Sequence, residues 1–423
     1  PWYTTGAGTK TYMVGTLSDE TIEQTVDNEI RAQYAGMEEE AAKNSLLPAI
    51  LWRNSVDTAK IFCVNGDYLA DISGVGILDA MMGEPYDYDI YPVINAQNLV
   101  IADLPAFVSE NEEEMQKRYS QSAQAVYQEI VWPSLTSIAS RTGAKMTCMM
   151  TPQFTYTDEE EPDGENVTYY LKRLKEEHAE AGLSADSREG IPLSEKIKQD
   201  QTFWQTYAPS YRFLSLYADG VKSIGEESAL PAEIRTVALG SGASGQAVGY
   251  LNENVTLQPS TSSGIRHTFL DDFKVKCMET ALGYSNITLD LYSVTYPEGD
   301  EDSWEKMSKK IAANLGTYWK AYEAFDATTL TESDVRIRRF LALDYKQQRA
   351  GNVITLSLEH REDAAWFLLR LHGEKVTEVA GGSFEEIEDG VYLILAEEDE
   401  VSVEVQTGEE WQYQDGGKRG DGT

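Results

Sequence analysis

The chain has 423 residues, of which 41% are hydrophobic and 25% charged, ordinary globular proportions that exclude wholesale disorder, collagen and a coiled coil. At about 150 residues per domain, that length holds two or three domains. Asp and Glu number 71 against 35 Lys and Arg, a net charge of −36, so the molecule repels phosphate backbones and anionic lipid, and nucleic acid is a poor partner for it. The same field would attract a cationic partner, such as a polymer carrying free amino groups, or simply keep the protein soluble, and solubility alone is the preferred reading.

The numbered sequence opens PWYTTGAG. With neither an initiator Met nor the basic and apolar regions of a secretion signal, it reads as a processed or trimmed piece of something longer. No run reaches about 18 apolar residues, so no membrane span is expected. The first segment joins an acidic helix-like stretch, Asp19 to Lys43, to the apolar run LLPAILW and the strand-like IFCVN, which ends at Asn65-Gly66-Asp67; this reads as part of an α/β unit.

From about residue 90, short apolar runs alternate with helical patterns: NLVIAD, KMTCMM, RFLSLYAD, EIRTVAL and ITLDLYSV. Such alternation predicts a parallel sheet, open or closed into a barrel. Tyr119, Ala123, Val126, Tyr127, Ile130 and Val131 step at helical spacing until Pro133, which is expected to stop the helix. The same stepping at Trp304, Met307, Ile311, Leu315, Tyr318, Trp319, Tyr322 and Phe325 gives an aromatic stripe, read as core. Between the two, the acidic TDEEEPDGE at 157–165 lacks the oxygen spacing of a calcium loop and reads as a solvated loop. After about Glu332 the pattern changes to short strands, VITLSL, WFLLRL, VYLIL and VSVEV, with turns at Ala380-Gly381-Gly382 and Asp389-Gly390. The polar tail beyond Thr407 is expected to be disordered.

The most informative chemistry is an apolar run that ends in an aspartate. Asp67, Asp103 and Asp219 stand in that position, and Asp290 interrupts ITLDLYSV. The C-terminal ends of parallel strands converge on one mouth, so these carboxylates can meet across a pocket. Paired carboxylates there would protonate a leaving oxygen and activate water, which is glycosidase chemistry; aspartate after a strand also serves as a turn former or helix cap. Of four histidines, His178 falls in a charged helix, and His360 and His372 fall in the β module. His267 would share a helix face with Asp271 if its segment is helical, with Asp272 alongside, and the three are candidate ligands for a divalent metal. GSGASG at 240–245 matches a dinucleotide fingerprint but lacks a firm following helix. Cys63, Cys148 and Cys277 each lie in an apolar run without metal or redox spacing, and read as buried thiols.

The stretches IFCVNGDYLADISGVGILDAM, DIYPVINAQNLVIADLP, LSEKIKQDQTFWQTYAPSYRFLSLY, SWEKMSKKIAANLGTYWKAYEAFDATTLTESDVRIRRFLALDY and FLLRLHGEKVTEVAGGSFEEIEDGVYLI resemble domain of unknown function 2194, from about Leu46 to Val405. This is an uncharacterised bacterial family grouped with the glycoside hydrolase/deacetylase superfamily. The resemblance implies an α/β fold: a segment over 1–85, a polysaccharide-deacetylase-like (β/α) barrel over 86–333, a β-sandwich over 334–406 and a tail over 407–423. It further implies a secreted or membrane-tethered protein linked to exopolysaccharide production. In active deacetylases of the superfamily an Asp-Asp pair ends the first barrel strand, and two histidines at H-x-x-x-H spacing complete a metal site. Here Asp103 matches one acid, Ala102 stands at the other, and no two histidines lie four apart.

The expectation is therefore an extracytoplasmic carbohydrate-active or carbohydrate-binding protein, with Asp103, Asp219, His267 and Asp290 around the pocket and hydrolysis by carboxylates if it is catalytic. The alternative is a degenerate barrel serving as a binding or scaffold component of a membrane-bound polysaccharide synthesis and export complex. In either case the partner is a polysaccharide, with a cationic aminosugar polymer one candidate.

Overall fold

A computed structural model describes residues 8–15, 48–57, 59–104, 107–156, 161–185, 191–220, 230–240 and 247–407, with Thr5 and Ile224 in addition. The Asp19–Lys43 stretch, residues 157–160 of the acidic loop, residues 241–246 of the glycine-rich segment and the tail beyond Thr407 lie outside the described residues, as do the side chains of Tyr318 and Trp319. The chain divides into two compact units, Pro1–Pro85 and Tyr86–Thr423.

In the first unit β1 (Thr9–Val14), β2 (Ala49–Val56) and β3 (Ala59–Val64) form an antiparallel sheet in the order β1-β2-β3, and α1 (Ser73–Gly83) follows. Asp67 is exposed here. Cys63 is only half-buried, whereas Cys148 and Cys277 are buried as expected; all three are free thiols.

The second unit opens with β4 (Tyr88–Val93) and β5 (Ala96–Ala102), followed by α2 (Glu112–Tyr119) and a helix over 123–142, α3. Pro133 does not end α3. A π-helical turn at Tyr127–Val131 lets the Trp132 amide bond back to the Tyr127 carbonyl, and Pro133 then occupies the first turn of the renewed α-helix, where a missing N–H costs nothing. There follow β6 (Met146–Met150), α4 (Val167–Glu176), β7 (Glu180–Ser184), α5 (Leu193–Tyr207), β8 (Ser215–Ala218), β9 (Thr236–Leu239), β10 (Gly249–Tyr250), β11 (Thr256–Pro259), β12 (Ser262–Ser263), α6 (Phe269–Leu282), β13 (Tyr284–Asp290), α7 (Trp304–Ala321), β14 (Ala327–Thr328) and α8 (Leu330–Ala342).

These strands make one curled sheet in the order β10-β11-β9-β8-β7-β6-β5-β13-β12, with β14 against β5. All its pairings are parallel except β10 with β11. Only Ser260 and Thr261 separate β11, which pairs with β9, from β12, which pairs with β13. On the outer face Leu99, Ile101, Cys148, Leu183, Leu216 and Leu239 pack under α3, α4, α5 and α7 in one apolar core. Trp304, Met307, Ile311 and Leu315 of the stripe belong to that core, while Phe325 is buried in a separate cluster where Tyr322 is only half-buried. The inner face carries a small apolar cluster, Val100, Ala102, Met149, Tyr217 and Ala238, with Leu330 of α8.

Below that cluster the interior is polar and crossed by side-chain hydrogen bonds. Asn98 donates to Gln258 at 3.0 Å and to Ser333 at 3.2 Å, Gln258 donates to the Leu330 carbonyl at 2.9 Å, and Thr256 donates to Asp334 at 2.6 Å. α8 is anchored by a capping box between Thr329 and Glu332 and seals the N-terminal ends of the strands. The opposite, C-terminal edge is the one left to carry loops.

The remaining strands, β15 (Asp344–Ala350), β16 (Val353–Glu359), β17 (Ala365–Leu371), β18 (Glu374–Ala380), β19 (Gly382–Glu388), β20 (Val391–Ala396) and β21 (Glu400–Thr407), build two antiparallel sheets. Their orders are β15-β16-β21-β18 and β19-β20-β17-β4, and their inner faces share a core that includes Ile354, Leu356, Phe367, Tyr392, Ile394 and Val403. VITLSL, WFLLRL, VYLIL and VSVEV are strands as expected. β4, from before the parallel sheet, completes the second of these two sheets by pairing with β17.

Candidate functional site

The C-terminal edge of the curled sheet places Asp103, Asp219 and Asp290 on one rim. β5 is buried along its whole length, and Asp103 follows it with φ of 59°, a left-handed conformation that aspartate tolerates better than most residues. The turn carries its carboxylate over the intervening β6 to β7, where Ser184 Oγ donates to Oδ1 at 3.0 Å. Asp103 is buried.

Asp290 pairs in register with Ala102 and is exposed. It ends β13 rather than interrupting a longer strand: its Oδ1 accepts from the Tyr292 amide at 2.9 Å, and the chain turns into the short helix Tyr292–Thr295. Asp103 and Asp290 meet electrostatically at Tyr127. The π-turn of α3 sends this buried phenol to the Leu291 carbonyl at 3.0 Å and to Thr295 Oγ1 at 3.2 Å. Burial first, and the two carboxylates after it, hold the hydroxyl far above its ordinary pKa, so it stays neutral.

Asp219 follows β8 and is exposed. It lies over Gly240, where an added Cβ would stand 2.7 Å from both Asp219 Oδ1 and the Tyr217 hydroxyl. A side chain at this strand end would therefore displace the Asp219 carboxylate and the Tyr217 hydroxyl.

The expected helical pairing of His267 with Asp271 is not formed, because α6 begins only after its N-cap Thr268. His267 Nδ1 lies 3.0 Å from Ser262 Oγ, and burial lowers its pKa against the opposing pull of Asp271 and Asp272. Asp271 closes the capping box with Thr268, and Asp272 is paired with Lys276 at 2.9 Å. Among the described residues no three His, Cys, Asp or Glu side chains come together as a metal site. At the first strand end the second acid of the deacetylase pattern is replaced by Ala102, fully buried. The described residues thus do not fit the divalent metal that the resemblance implies, either there or at His267.

The sequence reading missed a charged cluster beside Asp103. In the first turns of α5, Lys196 and Asp200 lie on one face, both buried, with Nζ 2.7 Å from Oδ2. Lys196 also donates to the carbonyl of Ser184 at 2.6 Å, and the Tyr156 hydroxyl donates to Asp200 Oδ1 at 2.7 Å. Burial, then the charge of Asp200, raises the Tyr156 pKa, so this phenol acts as a hydrogen-bond donor and not as a base. The available signal was a lysine and an aspartate four apart at positions which, with Phe203, continue a helical stripe that would otherwise be apolar.

The fold defined by these elements is a mixed α/β protein whose curled parallel sheet carries acids on its C-terminal rim and is joined to packed antiparallel sheets. Over residues 18–189 the chain matches the family described as "Uncharacterised protein conserved in bacteria (DUF2194)", the family its sequence resembles. No curated protein matches it. Similar solved structures include a candidate polysaccharide deacetylase from Mycobacterium smegmatis, 8% identical, covering 57% of this chain and 90% of that one with a TM-score of 0.33. A candidate glycoside hydrolase/deacetylase from Parabacteroides distasonis is 9% identical, covers 66% and 82%, and has a TM-score of 0.35. An endo-β1,6-glucanase is 8% identical, covers 80% and 90%, and has a TM-score of 0.30.

Proposed function

We propose that the chain is a polysaccharide-handling protein of bacterial exopolysaccharide biosynthesis, built as a deacetylase-like (β/α) barrel with an appended β-sandwich. The observation that carries the reading is the rim itself: exposed Asp219 and Asp290 and buried Asp103 stand at the C-terminal ends of strands in one curled parallel sheet, the edge where such folds bind ligands. If a glycosidic bond is cut, Asp219 and Asp290 are the acids open to substrate, and the reaction proceeds by carboxylates without a metal-bound water. The family resemblance supports an extracytoplasmic location, secreted or membrane-tethered.

A second reading, a non-catalytic component of a synthesis and export complex, is favoured by Asp103, whose carboxylate is buried and engaged by Ser184. The net charge of −36 supports recruitment of a cationic aminosugar polymer to the surface. Affinity electrophoresis of the full chain through neutral, acidic and aminosugar polymers, with a reducing-end assay on each, tests both readings. Retention by a polymer with release of reducing ends that Asp290→Asn abolishes supports the hydrolase; retention without release supports the binding component. If every polymer leaves migration unchanged, the carbohydrate assignment is wrong.

A further inference from the structure

A cavity of about 560 Å³ opens between α5 and the segment after β6, within the range of about 300–1,000 Å³ that holds small-molecule ligands. Its one buried carboxylate among the described residues is neutralised. Asp200 accepts from Tyr156 on one oxygen and from Lys196 on the other, so the buried carboxylate that faces the cavity has its countercharge within the wall. A cationic ligand finds no uncommitted buried acid there, and Glu161 stands exposed at the edge.

Two other features point to what the cavity takes. Tyr207, 44% exposed, presents its ring beside Phe203 at a centroid distance of 5.0 Å. That ring lies flat on Gly164, where any Cβ would fall inside it, so the backbone fixes its orientation. A fixed, half-exposed aromatic face packs against the C–H face of a sugar ring. The second feature is Gln153, which lines the cavity although only 9% exposed and whose buried Oε1 accepts no hydrogen bond among the described residues. A buried carbonyl left without a donor costs about 1–3 kcal/mol. The oxygen itself is buried, and the terminal amide torsion is soft, so a rotation there would be what presents it to a ligand hydroxyl.

We propose that this cavity is a subsite for a neutral pyranose unit, seated on Tyr207 and donating a hydroxyl hydrogen bond to Gln153. The inference rests on the polysaccharide reading and deepens it by naming a neutral sugar and a place beside the rim, between α5 and the segment after β6.

Isothermal titration of the full chain with neutral gluco- and galacto-oligosaccharides, and with glucosamine oligomers, tests it on the native protein, Gln153→Leu and Tyr207→Ala. Tyr207→Ala removes a ring that is 44% exposed and stands in should Gln153→Leu fail to fold. The expected result is binding of a neutral oligomer that varies little between about 50 and 500 mM salt and weakens at least about tenfold in each variant at unchanged Tm. Polymer retention with neutral-oligomer affinity indifferent to both variants overturns the subsite and leaves the carbohydrate reading standing. Binding confined to glucosamine oligomers also overturns it, and loss of all polymer retention removes the broader reading as well.

Discussion

The hydroxyl of Ser184 donates to the buried carboxylate of Asp103 at 3.0 Å, linking the ends of two strands that are separated in the sheet by β6. Ser184→Ala removes that donor while leaving the carboxylate buried, and a loss of about 1–3 kcal/mol in unfolding free energy is expected by urea denaturation. A cost near zero would mean that the bond contributes nothing to holding the rim.

The Lys196–Asp200 pair is buried on both sides. Lys196→Met leaves an uncompensated carboxylate and should cost about 3–5 kcal/mol, whereas Lys196→Met with Asp200→Leu should recover much of that loss. Additive destabilisation in the double variant would show that the two residues act separately.

Glu279 of α6 is almost wholly buried and accepts from Gln97 Nε2 at 2.8 Å; burial pushes its pKa up to about 8, against hydrogen bonds from Ser285 and Gln97 that pull it down. In the unfolded chain it titrates at an ordinary carboxyl value, so between roughly pH 4.5 and 8 the native state holds the extra proton. Stability should therefore fall as pH rises through that window and level off above it. Glu279→Gln should flatten the fall, read as Tm at a series of pH values; an identical slope in the variant would remove Glu279 as its source.

Gly240→Ala should be destabilising by about 1–3 kcal/mol, because the new methyl meets Asp219 and Tyr217 at 2.7 Å and both must shift. Any polymer affinity that depends on Asp219 should drop with it. Native-like stability and affinity would mean that the rim accommodates the methyl by movement elsewhere.

Much of the parallel sheet is legible because β5, β6, β8, β9 and β13 are buried and each contains an apolar stretch that stands out in the sequence. β11 is not legible: its residues TLQP place Thr256 and Gln258 in the polar interior, so it has neither an apolar run nor alternation. β7, EAGLS, is short and begins beside a charged helix end. The rim aspartates were legible because they close apolar runs. The cluster of Tyr156, Lys196 and Asp200 was not, since Tyr156 meets Asp200 across 44 residues of sequence and only tertiary packing brings them together. His267 misled because a helix-like pattern was extended one residue upstream of a threonine that caps the helix instead.

β4 lies along the edge of the sheet that contains β17, only two residues ahead of β5. The antiparallel layers are thereby clasped from both ends of the parallel region, and they cannot be cut away as a contiguous C-terminal fragment. A deletion starting at Asp344 would strand Tyr88–Val93 with Ile90 bare, while the excised piece would lack an edge and offer β17 to any passing chain. Melting of the layers and of the curled sheet should accordingly be a shared event, with neither half surviving the loss of the other.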